Sequence, residues 1–519
     1  AETLRVVEAR DFGSDLLLKE LQARVVAVLR MAEALSPKYH VVVANPPYKL
    51  RSDLNGVLAG FLDKSYPISK TDLFASFIER SIRLALSTGY NGLVTMESWM
   101  FLSSYEGLRK EILTRHSILG ITHMPYLGKG GTSMGISFGT DAKIIQTFQQ
   151  KNIVATFNCV RYFETDSQMV PTEFPVNNER LTVRGAREFM NIPGAPIAYW
   201  VEDQLLTLFR EQKQFSEEFD AKQGIATGEN ERFLRQWHEV SFGNLDVRQI
   251  GYDSFDGKVK WYPYSKGGEA RRWYGNHFLV VDWLNNGADI KNFKDGNGKL
   301  RSRPQNLDFQ FKEAVTWSLT SSSSIPLCAR FRPTGFVFDV NGMSAFPKSR
   351  GVRSSYSTAL LNSYVPQRAL TFINPTMAFQ SGDISRIPLP SVNKKEVDLA
   401  PAEKCICLSK SDWDAYETSW DFTALPLLSP EHRDETLANT YANLRSHWQG
   451  RTDEMQRLEE ENNRIFIDAY GLADELTPEV PIEEITLTCN PAYRYGVKGT
   501  EEERETRLRE DTVAEFLHY

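Results

Sequence analysis

The tetrapeptide Asn45-Pro46-Pro47-Tyr48 contains the groups needed to hold a flat ring that carries an exocyclic amine. The side-chain carbonyl of Asn45 and the backbone carbonyl of Pro46 can accept the two amine hydrogens. The lone pair of the amine nitrogen is then free to attack an electrophile. Tyr48 offers a face for stacking, and two prolines make the turn stiff, which favours a pre-organised geometry. The pattern predicts a site that alkylates the amine of a base such as adenine. The alternative is a rigid turn between two α/β units.

The segments around this tetrapeptide alternate between strand and helix patterns. The strand before it, YHVVVA, is almost wholly apolar and predicts a buried parallel strand. Alternation of this kind predicts a parallel α/β sheet, in which ligands bind at the carboxyl ends of the strands. The predicted helices cover 15–36, 71–90 and 103–115, and the predicted strands cover 39–44, 91–101, 117–124 and 141–149. We expect Thr71 or Ser69 to cap the second helix.

The motif also resembles that of a known enzyme class. VVVANPPY resembles the [D/N/S]-P-P-[Y/F/W] motif of amino-methyltransferases that use S-adenosylmethionine, and Asn first with Tyr last resembles the adenine-N6 DNA methyltransferases. Other segments resemble the large adenine methyltransferases of BREX phage-defence systems, the PglX type. These segments are KTDLFASFIERSIRLAL, GYNGLVTMESWMFLSSYEGLRKEIL, GKVKWYPYSKGGEARRWYGN and DAYGLADELTPEVPIEEITL. Type IIG restriction–modification enzymes share the general plan and remain an alternative.

The resemblance implies roles for particular residues. Asn45, Pro46, Pro47 and Tyr48 would be the catalytic residues that hold a flipped adenine. Asp72, Leu73 and Phe77 would lie along the S-adenosylmethionine pocket, although Leu73 and Phe77 are also spaced as core residues of one helix face. Phe138 would stack on the second face of the base, and a core role for it is the alternative.

The chain departs from the family pattern before the motif. Residues 1–44 contain one glycine, Gly13, and no glycine-containing cofactor loop. The sequence also begins without Met, and its last residues follow an amphipathic pattern without a stop signal. We therefore expect a fragment cut at both ends, which must join an N-terminal portion to be active. A DNA-binding subunit that does no chemistry in this form is a further alternative.

The resemblance and the sequence pattern together predict four regions. The fold class expected is a partial Rossmann-like α/β methyltransferase domain, then a mostly β target-recognition domain, then a helical C-terminal region. The predicted bounds are 1–160 for the catalytic domain, 161–215 for a connector, 216–392 for the DNA-binding target-recognition domain and 393–519 for the helical region, with a helix break near Gly450.

Basic side chains are locally concentrated in a chain whose net charge is −7. Because Lys and Arg neutralise phosphates and Arg can read guanine, we expect these clusters to contact DNA. Interleaved aromatic residues are expected to be mainly core. For the second cluster, a solvated loop is the alternative. The predicted DNA-binding residues are Lys258, Lys260, Lys266, Arg271 and Arg272 in the first cluster and Lys348, Arg350 and Arg353 in the second.

Composition narrows the setting. No apolar run approaches the roughly 20 residues that a membrane span needs, and the five scattered cysteines suit a reducing, cytoplasmic compartment. The eight histidines show no metal-ligand spacing. The partners expected are double-stranded DNA, other BREX defence proteins and phage inhibitors that mimic DNA, with S-adenosylmethionine as the cofactor and no membrane.

Overall fold

The structure is a computed structural model that divides into two compact units, Ala1–Leu206 and Thr207–Tyr519. It describes residues 2–125, 139–150, 152–166, 170–247, 259–319, 325–349, 351–374, 378–392, 397–496 and 498–519. None of the described helices is both long and apolar enough to cross a membrane.

The first unit contains one six-stranded sheet flanked by helices. Its elements are α1 (Glu2–Glu8), α2 (Leu16–Leu35), β1 (Tyr39–Ala44), α3 (Gly56–Ser65), α4 (Leu73–Leu84), β2 (Ala85–Met96), α5 (Glu106–Arg115), β3 (Ser117–Met124), β4 (Thr140–Gln146), β5 (Ala155–Cys159) and β6 (Leu181–Arg184); α6 (Asp203–Glu211) spans the boundary between the units.

The strand order in this sheet is β1-β2-β4-β3-β5-β6. β1 pairs with β2 and β3 pairs with β5 in parallel, whereas β4 runs antiparallel to both of its neighbours and β6 antiparallel to β5. The expectation of a wholly parallel sheet is therefore wrong, because β4 is inserted between β2 and β3 in the opposite direction. The α/β character of the unit is confirmed.

Next to the motif, the predicted burial of β1 and the predicted bounds and cap of the following helix are wrong. β1 forms where expected and pairs in parallel, but it is an edge strand of this sheet, and Val41 and Val43 are 57% and 77% exposed. The predicted helix 71–90 ends at Leu84, because the chain continues directly into β2. Its N-cap is Asp72, whose side chain accepts from the backbone N–H of Phe74, rather than Thr71 or Ser69.

The amphipathic faces explain how α4 is held. Phe74 and Ile78 point into the core and are fully buried, as helical spacing of apolar residues predicts. α2 is different, since none of its residues is buried. Its exposed apolar side chains are Leu16, Leu17, Leu18, Leu21, Val25, Val28, Met31 and Leu35.

Within its described residues, the second unit begins with two four-stranded sheets, ordered β13-β9-β10-β8 and β12-β11-β14-β7. The mostly β character expected of 216–392 is interrupted by two buried helices, α9 and α10. The elements are β7 (Phe219–Lys222), α7 (Asn230–Phe233), β8 (Leu234–Gln236), β9 (Trp261–Ser265), β10 (Leu279–Asp282), α8 (Leu284–Lys291), β11 (Ala314–Ser318), β12 (Ala329–Arg332), β13 (Val337–Phe338), β14 (Gly342–Pro347), α9 (Ser354–Asn362), α10 (Tyr364–Ile373) and α11 (Ser381–Ile384).

Helices dominate the remainder of this unit. They are α12 (Ala400–Trp413), α13 (Leu437–Tyr470), α14 (Pro491–Arg494) and α15 (Glu501–His518). α13 is one helix of 34 residues, capped by Thr436 and ended by Gly471 in the left-handed conformation. The predicted break near Gly450 is wrong, because this glycine lies within the continuous helix.

Candidate active site

The tetrapeptide follows β1 directly, at the carboxyl end of a strand that is paired in parallel. Ala44, the last residue of β1, lies opposite Leu93 of β2. The ring of Pro46 is buried, whereas Asn45 and Pro47 are exposed and Tyr48 is half-buried. Pro46 therefore anchors the turn while the Asn45 amide stays accessible to a ligand.

Tyr48 is held by a row of aromatic rings. Its ring is perpendicular to that of Phe74, with 6.0 Å between centroids, and Phe74 lies 5.7 Å from Tyr105. The Tyr48 hydroxyl lies 3.4 Å from Asn45 Oδ1. Burial, and next the negative charge of Asp141, raise the pKa of Tyr48, so its phenol stays neutral at physiological pH. The motif thus presents a neutral aromatic ring beside an amide oxygen.

Asp72 ties the end of the motif turn to the start of α4. Its Oδ1 accepts from the backbone N–H of Lys49 at 3.0 Å and from that of Phe74 at 3.1 Å. A backbone bond from Leu73 N–H to the Lys49 carbonyl, 2.9 Å long, reinforces the connection. Asp72 is only 3% exposed, and burial raises its pKa against these hydrogen bonds. The structure therefore brings this predicted cofactor residue onto the motif itself.

Leu73 and Phe77 lie on the side of α4 that faces away from the core. Leu73 is half-buried and Phe77 is 37% exposed, whereas Phe74 and Ile78 are fully buried. The sequence alternative, in which Leu73 and Phe77 are ordinary core residues, does not describe Phe77. Their part in cofactor binding remains a prediction. Phe138, the predicted second stacking residue, lies outside the described residues.

A buried polar network next to the motif was missed by sequence reasoning. Lys143 Nζ, fully buried on β4, donates to Asp141 Oδ2 at 2.8 Å and to Thr95 Oγ1 at 2.6 Å, and lies 4.7 Å from the ring centroid of Trp99. Asp141 Oδ1 accepts from Trp99 Nε1 at 3.0 Å and from Thr95 Oγ1 at 2.9 Å. Burial lowers the pKa of Lys143 against the opposing effect of Asp141.

This network fixes the turn that follows β2, the 3₁₀ helix Glu97–Met100. Thr95 and Asp141 lie opposite each other in the register of β2 and β4, two residues beyond the Leu93 level at which β1 ends. A sequence signal existed, since two charged residues alternate with apolar ones in the strand TDAKIIQ. Charges on one face of an apolar strand indicate a buried polar partner.

A second polar cluster lies at the same end of the strands, since His123 of β3 pairs with Asp141 of β4. His123, near the end of β3, contacts the Glu97 carboxylate through Nε2 at 2.6 Å and the Tyr199 hydroxyl through Nδ1 at 2.8 Å. Among the described residues, no group of His, Cys, Asp and Glu side chains is arranged to hold a metal ion.

The two arginines of the first predicted DNA-binding cluster are internal. Arg271 and Arg272 are 3% and 2% exposed. Arg271 pairs with Asp412 at 2.6 Å, and Arg272 pairs with Glu459 at 2.5 Å and Glu484 at 2.7 Å. The expectation that these two guanidinium groups contact phosphates is corrected, because burial and carboxylate partners withhold them from solvent.

The other basic residues are more accessible. Lys260 and Lys348 are exposed; Lys260 pairs loosely with Asp282 at 3.3 Å, and Lys348 Nζ donates to the backbone of Ser216 at 2.6 Å. Arg353 is exposed and pairs with Glu403 at 3.0 Å. Lys258 and Arg350 lie outside the described residues.

Lys266 is half-buried and lines a cavity of about 220 Å³ in the second unit. The same cavity is also lined by Asp339 and Asn341 and by the segment 226–230. This glycine-containing segment lies near the start of the predicted target-recognition domain, 216–392, and the structure brings it together with one predicted basic residue. Thr227 in this segment is buried and its hydroxyl donates to the side chain of Asn230 at 2.8 Å.

The chain is similar in sequence to known proteins. Residues 17–127, which include the tetrapeptide, match the family model described as Eco57I restriction-modification methylase. The chain is 35% identical over 473 residues to adenine-specific methyltransferase PglX of Lacticaseibacillus casei (strain Zhang), covering 89% of this chain. It is 32% identical over 509 residues to adenine-specific methyltransferase BrxX of Escherichia coli O9:H4 (strain HS), covering 97% of this chain. Over most of its length, this chain is similar to PglX-type adenine-specific methyltransferases. The resemblance expected from the sequence is confirmed.

The chain spans only 38% of that PglX and 40% of that BrxX. It is also similar to two solved structures of restriction–modification enzymes. One is the type IIL enzyme MmeI in complex with DNA, at 11% identity and a TM-score of 0.45, covering 86% of this chain and 56% of that one. The other is a nuclease-deletion mutant of the type ISP enzyme LlaGI with a DNA substrate mimic, at 12% identity and a TM-score of 0.45, covering 83% and 39%.

Proposed function

We propose that this chain is the adenine-holding and target-reading part of a site-specific DNA adenine-N6 methyltransferase of a BREX phage-defence system. The observation that carries the proposal is the motif turn itself. Asn45 is accessible, Pro46 is anchored and Tyr48 is held in an aromatic row, all at the carboxyl end of a parallel-paired strand. The names of the two curated relatives support the same chemistry.

The roles proposed for the motif follow from its donors and acceptors. A target adenine that leaves the duplex stacks on Tyr48. Asn45 Oδ1 and the Pro46 carbonyl accept the two hydrogens of its N6 amine, which directs the nitrogen lone pair towards the methyl donor. S-adenosylmethionine supplies the methyl group when bound.

Methyl transfer in this proposal is direct, from donor to amine. The new N6–carbon bond forms as the carbon–sulfur bond breaks, the electron pair goes to sulfur, and N6 then releases a proton to solvent. No covalent enzyme intermediate is needed. The cysteines agree with this, because Cys407 is the one that is exposed and it lies in the second unit, on α12.

We propose that the methyl-donor loop comes from another part of a longer polypeptide, which packs against the first unit. Leu73 and Phe77 offer an apolar surface beside the motif. Residues 1–44 contain a single glycine, Gly13, and no glycine-containing cofactor loop. Support also comes from exposed apolar surface, since β1 is an edge strand with exposed valines and no residue of α2 is buried. Exposed apolar residues that cluster on a strand or a helix in this way can mark an interaction site.

We propose that the second unit reads the target on double-stranded DNA. Lys260, Lys266, Lys348 and Arg353 are the described candidates for phosphate contacts, because each is at least partly exposed. Other BREX proteins and phage inhibitors that mimic DNA are proposed as partners of the same protein in the cytoplasm. A type IIG enzyme, or a DNA-binding subunit that does no chemistry in this form, is the second candidate function; the accessible basic residues fit both.

Cofactor titration, methylation, DNA-binding and DNA-cleavage assays together separate these proposals. Isothermal titration of the isolated chain with S-adenosylmethionine should show no micromolar binding, and N6-methyladenine should form only when the N-terminal portion is also present. Micromolar binding by the isolated chain contradicts the missing donor loop. Lack of methylation by the complete polypeptide, despite DNA binding, favours the binding subunit. DNA cleavage by the complete polypeptide favours the type IIG enzyme.

A further inference from the structure

The exit of the motif turn is connected to α4 by several bonds that converge on one side chain. Asp72 Oδ1 receives the N–H of Lys49, the residue immediately after Tyr48, and also the N–H of Phe74 in the first turn of α4. The backbone adds bonds from Leu73 N–H to the Lys49 carbonyl and from Arg51 N–H to the Thr71 carbonyl. Asp72 is therefore the side chain that joins the motif turn to the helix.

The same helix positions the ring that holds Tyr48. Phe74 lies in the first turn of α4 and is fully buried, and its ring centroid is 6.0 Å from that of Tyr48. One carboxylate oxygen thus fixes both the backbone that follows Tyr48 and the helix turn that carries its aromatic neighbour. Loss of this acceptor would leave two backbone N–H groups without their partner, which is unfavourable inside a protein.

The environment of Asp72 suits an acceptor more than a charged ligand. Its side chain is 3% exposed, and no lysine or arginine within the described ranges forms an ion pair with it. Its identified hydrogen bonds come from backbone N–H groups. An uncharged acceptor of the same shape could make the same bonds, since Asn caps helices as well as Asp does.

We propose that Asp72 is a positioning residue for the adenine-holding turn, acting as a hydrogen-bond acceptor and not as a charged ligand of the methyl donor. This inference rests on the proposed function, because the turn must hold a base for its position to matter. It replaces the cofactor role that the sequence predicts for Asp72.

Two substitutions separate the acceptor from the charge. Asp72→Asn keeps the oxygen and removes the charge, whereas Asp72→Ala removes both. In the complete methylating polypeptide, we expect Asp72→Asn to keep its turnover number within about threefold of the unsubstituted protein. We expect Asp72→Ala to lower it by about 100-fold, since a displacement near 1 Å at a reacting group has this effect. The dissociation constant for S-adenosylmethionine should stay the same in both.

A matched control is available in the preceding helix, α3. Asn55 caps α3 and accepts from Leu58 N–H at 2.9 Å, but it is exposed and has no identified contact with the motif. Asn55→Ala removes a helix cap of the same kind and should lower the melting temperature while leaving turnover unchanged. A cap loss that only destabilises the fold would affect both alanine variants alike.

The two hydrogen bonds that Asp72 accepts from Lys49 and Phe74 form what we call the Asp72 clamp. Amide hydrogen exchange tests this clamp without a measurement of methylation activity. In the isolated chain, the Lys49 amide should exchange faster in Asp72→Ala and at the unsubstituted rate in Asp72→Asn. The inference is overturned if Asp72→Asn loses as much turnover as Asp72→Ala together with weaker S-adenosylmethionine binding, or if the Lys49 amide is equally protected in both variants. If the unsubstituted polypeptide makes no N6-methyladenine, the proposed function fails, and the exchange rates still decide whether Asp72 holds the turn.

Discussion

Arg272 is paired with two carboxylates, those of Glu459 and Glu484, inside the second unit. Glu459 is buried, and burial raises its pKa even with Arg272 beside it. Trp273 Nε1 also donates to Glu459, at 2.7 Å. Two arginines that the sequence assigns to a DNA surface, Arg271 and Arg272, are thus internal and connect the β-rich and helical parts of one unit.

We expect Arg272→Met to destabilise the second unit by about 3–5 kcal/mol, because it leaves the buried Glu459 carboxylate without its partner. Urea denaturation followed by tryptophan fluorescence measures this change. Arg353→Met, which breaks an exposed ion pair with Glu403, is the control and should cost under about 1 kcal/mol. Equal small effects of the two substitutions would contradict the internal role of Arg272.

His277 is a buried histidine surrounded by rings and positive charge. It lies between Tyr274, Phe336 and Trp420, and neither ring nitrogen has a hydrogen-bond partner in the described part of the chain. Burial, and then the charges of Arg330, Arg332, Lys410 and Arg271, hold its pKa well below the usual value. The folded protein therefore keeps His277 neutral.

The free energy of unfolding should fall as pH drops below about 6.5, because the unfolded chain then binds a proton at His277 that the folded chain does not. This residue contributes a slope of up to about 1.4 kcal/mol per pH unit. Chemical denaturation of the unsubstituted protein and of His277→Phe, between about pH 7.5 and about pH 5, measures it as a difference between their slopes. Parallel profiles for the two proteins would show that His277 titrates normally in the folded state.

At the scale of elements, local pattern predicted strand and helix identity well and boundaries less well. α2, β1, α5 and β3 lie where their periodicity places them. The end of α4 was misplaced, because the sequence passes from helix to β2 at Ala85 without a glycine or proline between them.

The candidate site was predictable only in part. The motif and its position after a strand are visible in four residues and their neighbours. The Asp72 clamp was not, because it depends on a contact between residues 23 positions apart. The antiparallel insertion of β4 likewise depends on which strands pair, as does the hydrogen bond between Thr95 of β2 and Asp141 of β4. Long-range pairing is not encoded in the periodicity of a single segment.

α13 gives a prediction at this scale. Gly450 is exposed within the continuous helix, and a Cβ at this position would meet no atom within 4 Å. We expect Gly450→Ala to stabilise the second unit by about 0.5–1 kcal/mol, because alanine loses less backbone entropy in a helix. Thermal or urea unfolding measures the gain.

Gly471→Ala is the matched control in the same helix. Gly471 ends α13 at a φ of 71°, a conformation that strains any residue with a Cβ, so this substitution should destabilise. Destabilisation by both substitutions would indicate that the helix is broken at Gly450 after all.

For the whole molecule, burial is unevenly distributed between and within the two units. In the first unit, buried apolar residues lie on β2, β3, β4 and β5, whereas β1 and α2 leave apolar side chains exposed. In the second unit, the ion pairs Arg271–Asp412 and Arg272–Glu484 connect the β-rich part to the helical part. Both parts belong to one compact unit. The net charge of the chain is −7. Some of its basic residues, such as Arg271 and Arg272, are used in internal ion pairs, whereas others, such as Lys260 and Lys348, are exposed.

In the proposed mechanism, the motif turn holds the amine of a target adenine through Asn45. Mass spectrometry of N6-methyladenine, made by the complete polypeptide with and without Asn45→Ala, tests it most directly. Asn45 is exposed and outside the core, so we predict that Asn45→Ala keeps its melting temperature and its DNA affinity but forms no measurable N6-methyladenine. N6-methyladenine at the unsubstituted level in the Asn45→Ala protein would contradict the account.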